Sequence, residues 1–335
     1  KRSMFWRDDP TPYHVWISEI MLQQTRIEAV KAYYIRFMDA LPSIEKLSEV
    51  NEEALMKLWE GLGYYNRARN LKKAAEVLVE RYNGHLPADY DLLIDLPGIG
   101  SYTAGAIASI AYGIKVPAVD GNVLRVLMRY LNCSEDIGKN SLKKKAERSL
   151  LAIMPDRPGD FNQAVMELGE VICIPNGEPH CDQCPFNQHC LAKKHGTWNR
   201  LPRRADKKSR RIVKMSVMVF EYKDKFGVVK RPNQGLLAGL YEFPSVEGNL
   251  SLPKFKQYLK EKHIVNCKVT ELGNTKHIFS HVEWHMVGYH ILLLDDFIGE
   301  YITKHMKFVS EEELKDEYAL PIAFHKYMKM VLEKD

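Results

Sequence analysis

The pattern of apolar and polar positions changes once along the chain, near residues 200–211. Before that point apolar side chains recur at three- and four-residue spacing, which is typical of amphipathic helices. After it, short runs rich in β-branched and aromatic residues are typical of strands. The pattern therefore predicts a mainly α-helical N-terminal domain over residues 1–199, a linker over 200–211 and an α+β domain over 212–335.

The predicted elements follow from this periodicity and from the Gly and Pro residues between the stretches. The first of them is ended by Pro42. The predicted helices of the first domain are Tyr13–Leu41, Asn51–Trp59, Asn66–Tyr82, Tyr102–Tyr112, Asn122–Leu131, Ser141–Met154 and Phe161–Cys173. The predicted elements of the second are the strands Ile212–Tyr222, Phe226–Lys230, Lys268–Leu272 and Val282–Leu294 and the helix Pro253–His263.

Composition agrees with two globular domains. The chain has 335 residues, of which 45% are hydrophobic, enough for a core in each half. No apolar run reaches the length of a membrane span, and no signal peptide is recognisable. We therefore expect no membrane partner. The chain begins at Lys1 and not at Met, which leaves open a targeting segment upstream.

Positive charge is concentrated in one segment. The formal net charge is +5, yet Arg200–Lys214 alone holds eight basic residues and one acid, Asp206. The segment is thus +7 and the rest of the chain −2. Such a run is either a solvated linker or a tether that lies near a polyanion.

Four of the six cysteines lie close together in sequence. Cys173, Cys181, Cys184 and Cys190 form the pattern C-x7-C-x2-C-x5-C. Thiolates at this spacing can enclose one metal centre, either tetrahedral zinc or a 4Fe–4S cluster, and spacing alone does not decide between them. The alternative of four buried free thiols fits poorly, because the residues between them are polar. This cysteine usage indicates a reducing, intracellular compartment.

Residues 96–122, LPGIGSYTAGAIASIAYGIKVPAVDGN, suggest a site for an anion beside a carboxylate. Gly98 and Gly100 allow a close backbone approach with outward N–H groups, and the helix that follows adds the positive end of its dipole. Asp120 comes about twenty residues later, before another helix. The alternative is that Asp120 only caps the helix that begins near Asn122.

These segments carry a family resemblance. The LPGIG turn, Asp120 and the cysteine loop resemble the helix-hairpin-helix glycosylases of the endonuclease III superfamily. The sequences WISEIMLQQT (16–25), EGLGYYNRARN (60–70), GLLAGLYEFPS (235–245) and HIFSHVEWH (277–285) are similar to those of the adenine DNA glycosylase (MutY) family. The resemblance implies a helix-hairpin-helix glycosylase domain with a 4Fe–4S loop at 173–190. It further implies a Nudix-like C-terminal domain that recognises 8-oxoguanine, and an intracellular, DNA-associated monomer of bacterial type.

Two carboxyl groups with different environments would suit cleavage of an N-glycosidic bond. Glu19 lies on an apolar helix, where burial would keep it protonated, and the helix N-terminus would favour ionised Asp120. The resemblance implies that Glu19 protonates adenine N7, that Asp120 stabilises the sugar cation, and that Tyr102 and Asn122 position groups around it. Tyr102 stands where bifunctional relatives carry a nucleophilic lysine, which predicts a monofunctional hydrolase. The alternatives are an exposed surface acid for Glu19 and simple packing for Tyr102.

The resemblance also assigns contacts with DNA. Gln24 and Tyr64 would enter the duplex beside the opposite base, while Gly98 and Gly100 would hold the DNA backbone. In the second domain, the loop Phe279, Ser280 and His281 would contact 8-oxoguanine. Without the resemblance, the segment 61–65 is a helix–helix turn with its aromatic residues in the core, and 279–281 is a hairpin turn at a strand end.

The predicted partner is double-stranded DNA with adenine opposite 8-oxoguanine or guanine. The second domain lacks the glutamate-rich helix that binds Mg²⁺ in active Nudix hydrolases, so we expect recognition and not a second reaction. Two features depart from the family pattern: the first cysteine gap has seven residues where six are usual, and the entry segment is MFWR in place of LPWR. A bifunctional glycosylase–lyase and a non-catalytic lesion-binding protein are the competing interpretations.

Overall fold

The computed structural model describes residues 4–205, 209–294, 302 and 305–333. They pack into two compact units, formed by the described parts of Lys1–Val50 with Asn66–Asp206 and of Asn51–Tyr65 with Lys207–Asp335. The segment Asn51–Tyr65 thus packs with the C-terminal half, although it lies inside the predicted helical domain. The predicted boundaries stay predictions, and residues 206–208 of the predicted linker lie outside the described part.

Helices supply the first unit and cover the sheet of the second. In chain order they are α1 (Phe5–Asp8), α2 (Pro12–Leu22), α3 (Ile27–Ala40), α4 (Ile44–Glu49), α5 (Glu52–Leu58), α6 (Asn66–Tyr82), α7 (Tyr90–Ile94), α8 (Ser101–Tyr112), α9 (Gly121–Tyr130), α10 (Asn140–Ala152), α11 (Pro158–Glu167), α12 (Leu191–His195), α13 (Leu252–Glu261), α14 (Glu311–Asp316) and α15 (Ile322–Leu332). Helix α5 and helices α13–α15 belong to the second unit. None of the helices in the described ranges is long and apolar enough to cross a membrane.

The prediction of one helix over Tyr13–Leu41 is wrong, because the chain turns between α2 and α3. Gln24 adopts a left-handed backbone with φ of +58°, which a helix does not tolerate. The guanidinium of Arg67 on α6 donates to carbonyl oxygens at the end of α2, those of Ile20 (2.8 Å), Met21 (3.0 Å) and Gln23 (2.7 Å). These carbonyls would otherwise lack partners at a helix end. Apolar periodicity continues across the turn and does not report this long-range contact.

Small residues fix how α8 packs in the first unit. A Cβ on Gly105 would lie 2.5 Å from the carbonyl oxygen of Pro117. In the turn before α8, Gly98 has φ of +77°, and a Cβ there would lie 2.6 Å from Cβ of Asn70. Gly98 is therefore required both by its backbone angle and by a close neighbour. The backbone of α8 therefore lies directly against Pro117, and the turn before it lies against Asn70.

The second unit is built on a mixed sheet. Its described strands are β1 (Arg211–Tyr222), β2 (Lys225–Lys230), β3 (Tyr241–Glu242), β4 (Ser245–Glu247), β5 (Cys267–Ile278), β6 (Val282–Leu293) and β7 (Lys307–Ser310). Their order is β3-β2-β1-β6-β5, with β4 beside β1 and β7 beside β2. Strands β1 and β6 are parallel, and β5 and β6 form an antiparallel hairpin. The predicted strand Lys268–Leu272 was too short, because β5 continues to Ile278 beyond a bulge at Glu271/Gly273.

Both faces of the sheet are covered, as expected for a parallel central pair. Alternate residues of β1 face opposite sides, with Val217 and Val219 in one apolar cluster and Met218 and Phe220 in the other. Helix α15 covers the first face and α13 the second. The described architecture confirms a helical N-terminal half followed by an α+β domain built on a sheet.

Candidate active site

The four residues predicted to act at the reaction centre line one cavity of about 160 Å³ in the first unit. Glu19 comes from α2, Tyr102 from the first turn of α8, and Asp120 and Asn122 from the start of α9. Tight packing of α2 against α8 brings the first two together. The cavity is large enough to hold several atoms of a ligand, and four carboxyl groups line it, those of Glu19, Asp120, Glu167 and Glu170.

Glu19 is buried, with 9% of its surface exposed. The pKa of this carboxyl rises from 4.5 to about 7, mainly because of burial; the charge of Asp120 contributes to the rise, while the Tyr102 hydroxyl and the Arg7 guanidinium oppose it. A substantial fraction is therefore protonated at neutral pH, as the apolar helix around it predicted. The alternative of an exposed surface acid is wrong.

Tyr102 is the hydrogen-bond partner of Glu19. Its hydroxyl donates to Oε2 of Glu19 at 2.5 Å and lies 3.2 Å from Sδ of Met166. Burial, followed by the nearby carboxylates, holds the pKa of this phenol well above its ordinary value. Tyr102 thus stays neutral and donates to the carboxyl group, and its half-buried side chain lines the cavity.

Asp120 caps α9 and faces the cavity. Its Oδ1 accepts from the backbone N–H of Val123 at 2.8 Å, and its Oδ2 accepts from Nδ2 of Asn122 at 3.0 Å. Burial raises the pKa of Asp120 above its ordinary value, and the hydrogen bonds from Val123 and Asn122 only partly oppose this. The expectation that the helix N-terminus would favour the ionised form was therefore incomplete, because it left out desolvation.

Asn122 is held by a chain of hydrogen bonds. Nη2 of Arg125 donates to Oδ1 of Asn122 at 2.8 Å and to the carbonyl oxygen of Gly169 at 2.5 Å, and Nε donates to the carbonyl oxygen of Cys173 at 2.8 Å. A Cβ on Gly169 would lie 2.8 Å from Cβ of Asn122. Gly169 belongs to a π-helical turn, Leu168–Ile172, that continues α11 where a plain helix to Cys173 was predicted. Such turns recur at functional sites.

The four clustered cysteines line a second, smaller cavity of about 30 Å³, together with Arg129 and Lys193. Nη1 of Arg129 lies 3.4 Å from Sγ of Cys173 and donates to the carbonyl oxygen of Ile174 at 2.9 Å. A thiol set of this kind, with cations beside it, fits an anionic metal–thiolate centre by its chemistry. Within the described residues, no three His, Cys, Asp or Glu side chains are spaced as ligands of a single ion.

The sequence motifs do not identify every residue of the site. Glu167 lines the main cavity and pairs with Arg7 at 2.8 Å, although the two are 160 positions apart. Arg7 belongs to the entry segment that resembles the family, whereas nothing in the local sequence marks Glu167. Arg67, which fixes the turn of Gln24, stands in the EGLGYYNRARN motif but contacts α2 only in the folded chain.

The predicted DNA contacts divide between the two units. In the first unit, Gln24 occupies the left-handed turn after α2, and Gly100 begins α8 with open space around its Cα. In the second, Tyr64 also has a left-handed backbone, φ +48°, and is 48% exposed. Non-glycine residues in this conformation are uncommon and concentrate at functional positions.

The loop Phe279–His281 forms the turn between β5 and β6, as the hairpin interpretation also predicted. The backbone N–H of Phe279 donates to the carbonyl oxygen of Val282 at 2.8 Å, and its ring packs edge-on against Trp284, with centroids 4.8 Å apart. Oγ of Ser280 lies 2.7 Å from the hydroxyl of Tyr64. Two residues predicted from separate motifs are thus in direct contact within the second unit.

Comparisons with known proteins agree with this geometry. Residues 17–152 match the HhH-GPD superfamily base excision DNA repair protein model, and residues 216–330 match a NUDIX domain. Among solved structures, a thermostable thymine-DNA glycosylase has 30% identity and a TM-score of 0.53, covering 58% of this chain and 89% of that one. A non-covalent endonuclease III–DNA complex has 29% identity and a TM-score of 0.50, covering 56% and 86%.

Curated relatives extend the similarity into the second half. The adenine DNA glycosylase of Buchnera aphidicola subsp. Schizaphis graminum is 34% identical over 86% of this chain and 82% of its own length. The human adenine DNA glycosylase is 35% identical over 84% of this chain and 63% of its own. Because these similarities extend over most of its length, the chain belongs to the adenine DNA glycosylase family.

Proposed function

We propose that Glu19 and Asp120 together hydrolyse the N-glycosidic bond of adenine, in duplex DNA that carries 8-oxoguanine or guanine opposite it. Family membership makes the chain a monofunctional adenine DNA glycosylase of base excision repair, a hydrolase that acts on N-glycosyl bonds and binds DNA. The observation that supports the assignment of residues is the Tyr102–Glu19 pair, buried beside Asp120 in one cavity. No lysine is among the described residues that line this cavity.

The proposed reaction uses the two carboxyl groups in different protonation states. Adenine must leave its duplex to enter the cavity. Protonated Glu19 gives its proton to N7, and the electron pair of the glycosidic bond moves into the departing base. The carboxylate of Asp120 faces the oxocarbenium-like sugar and stabilises its positive charge. Water then bonds to the anomeric carbon and releases a proton, which leaves an abasic site and an intact strand.

Arg7 and Glu167 suit the selection of adenine. The N6 amino group donates hydrogen bonds, and the Glu167 carboxylate in the cavity wall can accept them. The Arg7 guanidinium, paired with Glu167, offers donors to the ring nitrogens. Guanine would present an oxygen where adenine has this amino group, and that oxygen would repel the carboxylate.

Recognition of the opposite base is proposed for Ser280 and His281. 8-Oxoguanine has an N7–H donor, whereas guanine has a bare N7 acceptor. A hydroxyl group such as that of Ser280 can accept from this N–H. Ser280 lies beside Tyr64, which has a left-handed backbone and a half-exposed side chain. This contact supports a role for both residues next to the opposite base.

Replacing both Ser280 and His281 by Ala should mainly reduce the preference for 8-oxoguanine. We expect base release from adenine opposite 8-oxoguanine to fall by about tenfold to a hundredfold, because one or two hydrogen bonds are lost, while release opposite guanine changes little. The measurement is a single-turnover assay on duplexes with adenine opposite 8-oxoguanine, guanine or cytosine, each with and without alkali.

Equal losses on all three duplexes would argue against lesion recognition by this loop. In the unmodified protein, strand breaks that form without alkali would instead indicate the glycosylase–lyase. Tight binding without any adenine release would indicate a lesion-binding protein.

We also propose that Cys173, Cys181, Cys184 and Cys190 hold a 4Fe–4S cluster, one thiolate per iron. Bound there, the cluster would brace the loop that begins at Cys173, whose carbonyl accepts from Arg125. Analysis of purified protein should give four iron and four acid-labile sulfide atoms per chain, and Cys184→Ser should lower both values while Cys267→Ser leaves them unchanged. Stoichiometric zinc without iron would contradict the proposal.

A further inference from the structure

The segment Asn51–Tyr65 interrupts the helical half in sequence but packs in the second unit. It contains α5 and the turn Gly61–Tyr64. The amphipathic pattern that predicted a helix here does not indicate which half of the chain the helix packs against. Its core side chains are apolar, those of Leu55, Met56, Trp59, Leu62 and Tyr65. Its polar contacts with the rest of the unit come from Glu53, Lys57 and Glu60, and the last two are the least exposed.

Lys57 and Glu60 join two helices of the second unit. Nζ of Lys57 donates to the carbonyl oxygens of Leu314 (3.0 Å) and Tyr318 (3.2 Å), at and just beyond the end of α14. Oε1 of Glu60 accepts from the backbone N–H of Leu320 at 2.8 Å, two residues before α15. The two side chains also pair with each other at 2.6 Å and are 18% and 17% exposed.

The charges match what each helix end presents. Carbonyl groups at a C-terminal end carry partial negative charge, and N–H groups at an N-terminal end carry partial positive charge. The ammonium group meets a carbonyl oxygen of this kind, that of Leu314 in α14, and the carboxylate accepts from the backbone N–H of Leu320, just before α15. Because both groups are largely buried, removal of either would leave the other without the opposite charge that it pairs with, although Glu60 would still contact Leu320 and His325.

This arrangement fixes the turn that carries Tyr64. Glu60 directly precedes Gly61, and Gly61 and Gly63 both have positive φ angles, +98° and +71°. Nε1 of Trp59 donates to the carbonyl oxygen of Gly63 at 3.1 Å. At the other end, the Tyr64 hydroxyl contacts Oγ of Ser280. The turn is therefore held at its base by the C-terminal helices and at its tip by the loop Phe279–His281.

We propose that Lys57 and Glu60 are positioning residues for discrimination of the opposite base, acting through Tyr64 and Ser280. The inference rests on the proposed function, because it takes Tyr64 and Ser280 to lie beside that base. It also gives the C-terminal helices α14 and α15 a specific role, since they set the position of a turn that belongs, in sequence, to the catalytic half.

The test compares Lys57→Met and Glu60→Gln with a matched control pair. Lys46→Met and Glu49→Gln alter an i,i+3 ion pair of 3.2 Å on α4 that is exposed on both sides, 62% and 65%. The readout is the ratio of single-turnover rates opposite 8-oxoguanine and opposite guanine, at saturating protein. In either test variant we expect this ratio to fall by about tenfold, with recovery in Lys57→Arg, and no change in the control variants.

A double-mutant cycle tests whether Glu60 acts through Tyr64, and Lys57→Arg, which keeps the charge, serves as the second variant if Lys57→Met folds poorly. Tyr64→Phe removes the hydroxyl that contacts Ser280 but keeps the ring. If Glu60 acts through Tyr64, Glu60→Gln should reduce the ratio much less in the Tyr64→Phe background than alone. Additive losses, or an unchanged ratio in folded Glu60→Gln, would overturn the inference. A wild-type ratio of one would instead overturn the proposed recognition of 8-oxoguanine.

Discussion

Glu19→Gln is expected to lower the rate of adenine release by about a thousandfold, within the range for loss of a general acid. Glutamine keeps the shape of the side chain and an oxygen that accepts from Tyr102, but it has no proton to give to N7. Single-turnover rates on a duplex with adenine opposite 8-oxoguanine measure the loss. DNA affinity, measured on the same duplex, should stay close to that of the wild type. A protonated glutamic acid and a glutamine are both uncharged, so the substitution does not alter the charge of the site.

The pH dependence distinguishes acid catalysis from a packing role. Burial raises the pKa of Glu19 to about 7, so the proton is present below that pH and is lost above it. The wild-type rate should therefore fall about tenfold per pH unit above the pKa, whereas the residual rate of Glu19→Gln should show no such limb. Tyr102→Phe removes a hydrogen bond that lowers this pKa, so its alkaline limb should move to higher pH. An alkaline limb unchanged in Glu19→Gln would refute the proposed acid.

The free energy of unfolding of Glu19→Gln shows whether its loss of activity comes from unfolding. The pKa of Glu19 rises from 4.5 to about 7 on folding. The folded state therefore binds the proton more tightly, and the stability this confers is full below pH 4.5 and lost as pH rises through 7. The shift corresponds to about 3 kcal/mol at alkaline pH. Glu19→Gln should thus be more resistant to urea than wild type at about pH 8, so lost activity cannot come from a lost fold.

How far the sequence predicts this molecule depends on the range of the interactions. Local signals performed well: the helix predicted over Asn51–Trp59 is present as α5, with Asn51 as its cap, and Gly98, predicted to allow a close backbone approach, has φ of +77°. The division of Tyr13–Leu41 was missed because Arg67, on another helix, stabilises the turn at Gln24. The raised pKa of Asp120 was missed for a similar reason, since burial depends on the tertiary surroundings of the cavity and not on the cap itself.

The candidate site shows the same distinction. Glu19, Tyr102, Asp120 and Asn122 were identified from motifs, and all four line one cavity. Glu167 has no motif around it and enters the site only through α11. Periodicity likewise does not predict that Asn51–Tyr65 packs in the second unit. Charged residues such as Lys57 and Glu60 are typical of the solvent-exposed face of a helix. Apolar patterns report which face is buried but not which partner buries it.

Asp120→Asn is expected to reduce adenine release by about a hundredfold to a thousandfold, the usual effect of removing one preorganised electrostatic group. Oδ1 of the amide can still accept from the N–H of Val123, so the cap of α9 should survive. Affinity for duplex DNA should be equal or higher, because a negative charge near the phosphates is removed. Single-turnover rates and binding curves for the same duplex separate the two effects.

A second variant removes the main ambiguity of this substitution. In Asp120→Asn the new amide group would face Nδ2 of Asn122, which now donates to Oδ2 at 3.0 Å, so two donors could meet. Exchanging the pair, Asp120→Asn with Asn122→Asp, restores a donor and an acceptor and keeps the net charge, and Arg125 retains its acceptor at position 122. Only the location of the negative charge then differs from wild type. If Asp120 stabilises the sugar cation, the exchanged variant should stay as slow as the single one, because charge stabilisation depends on a fixed position relative to the sugar. Recovery to near the wild-type rate would mean that the site needs a carboxylate somewhere but not at Asp120.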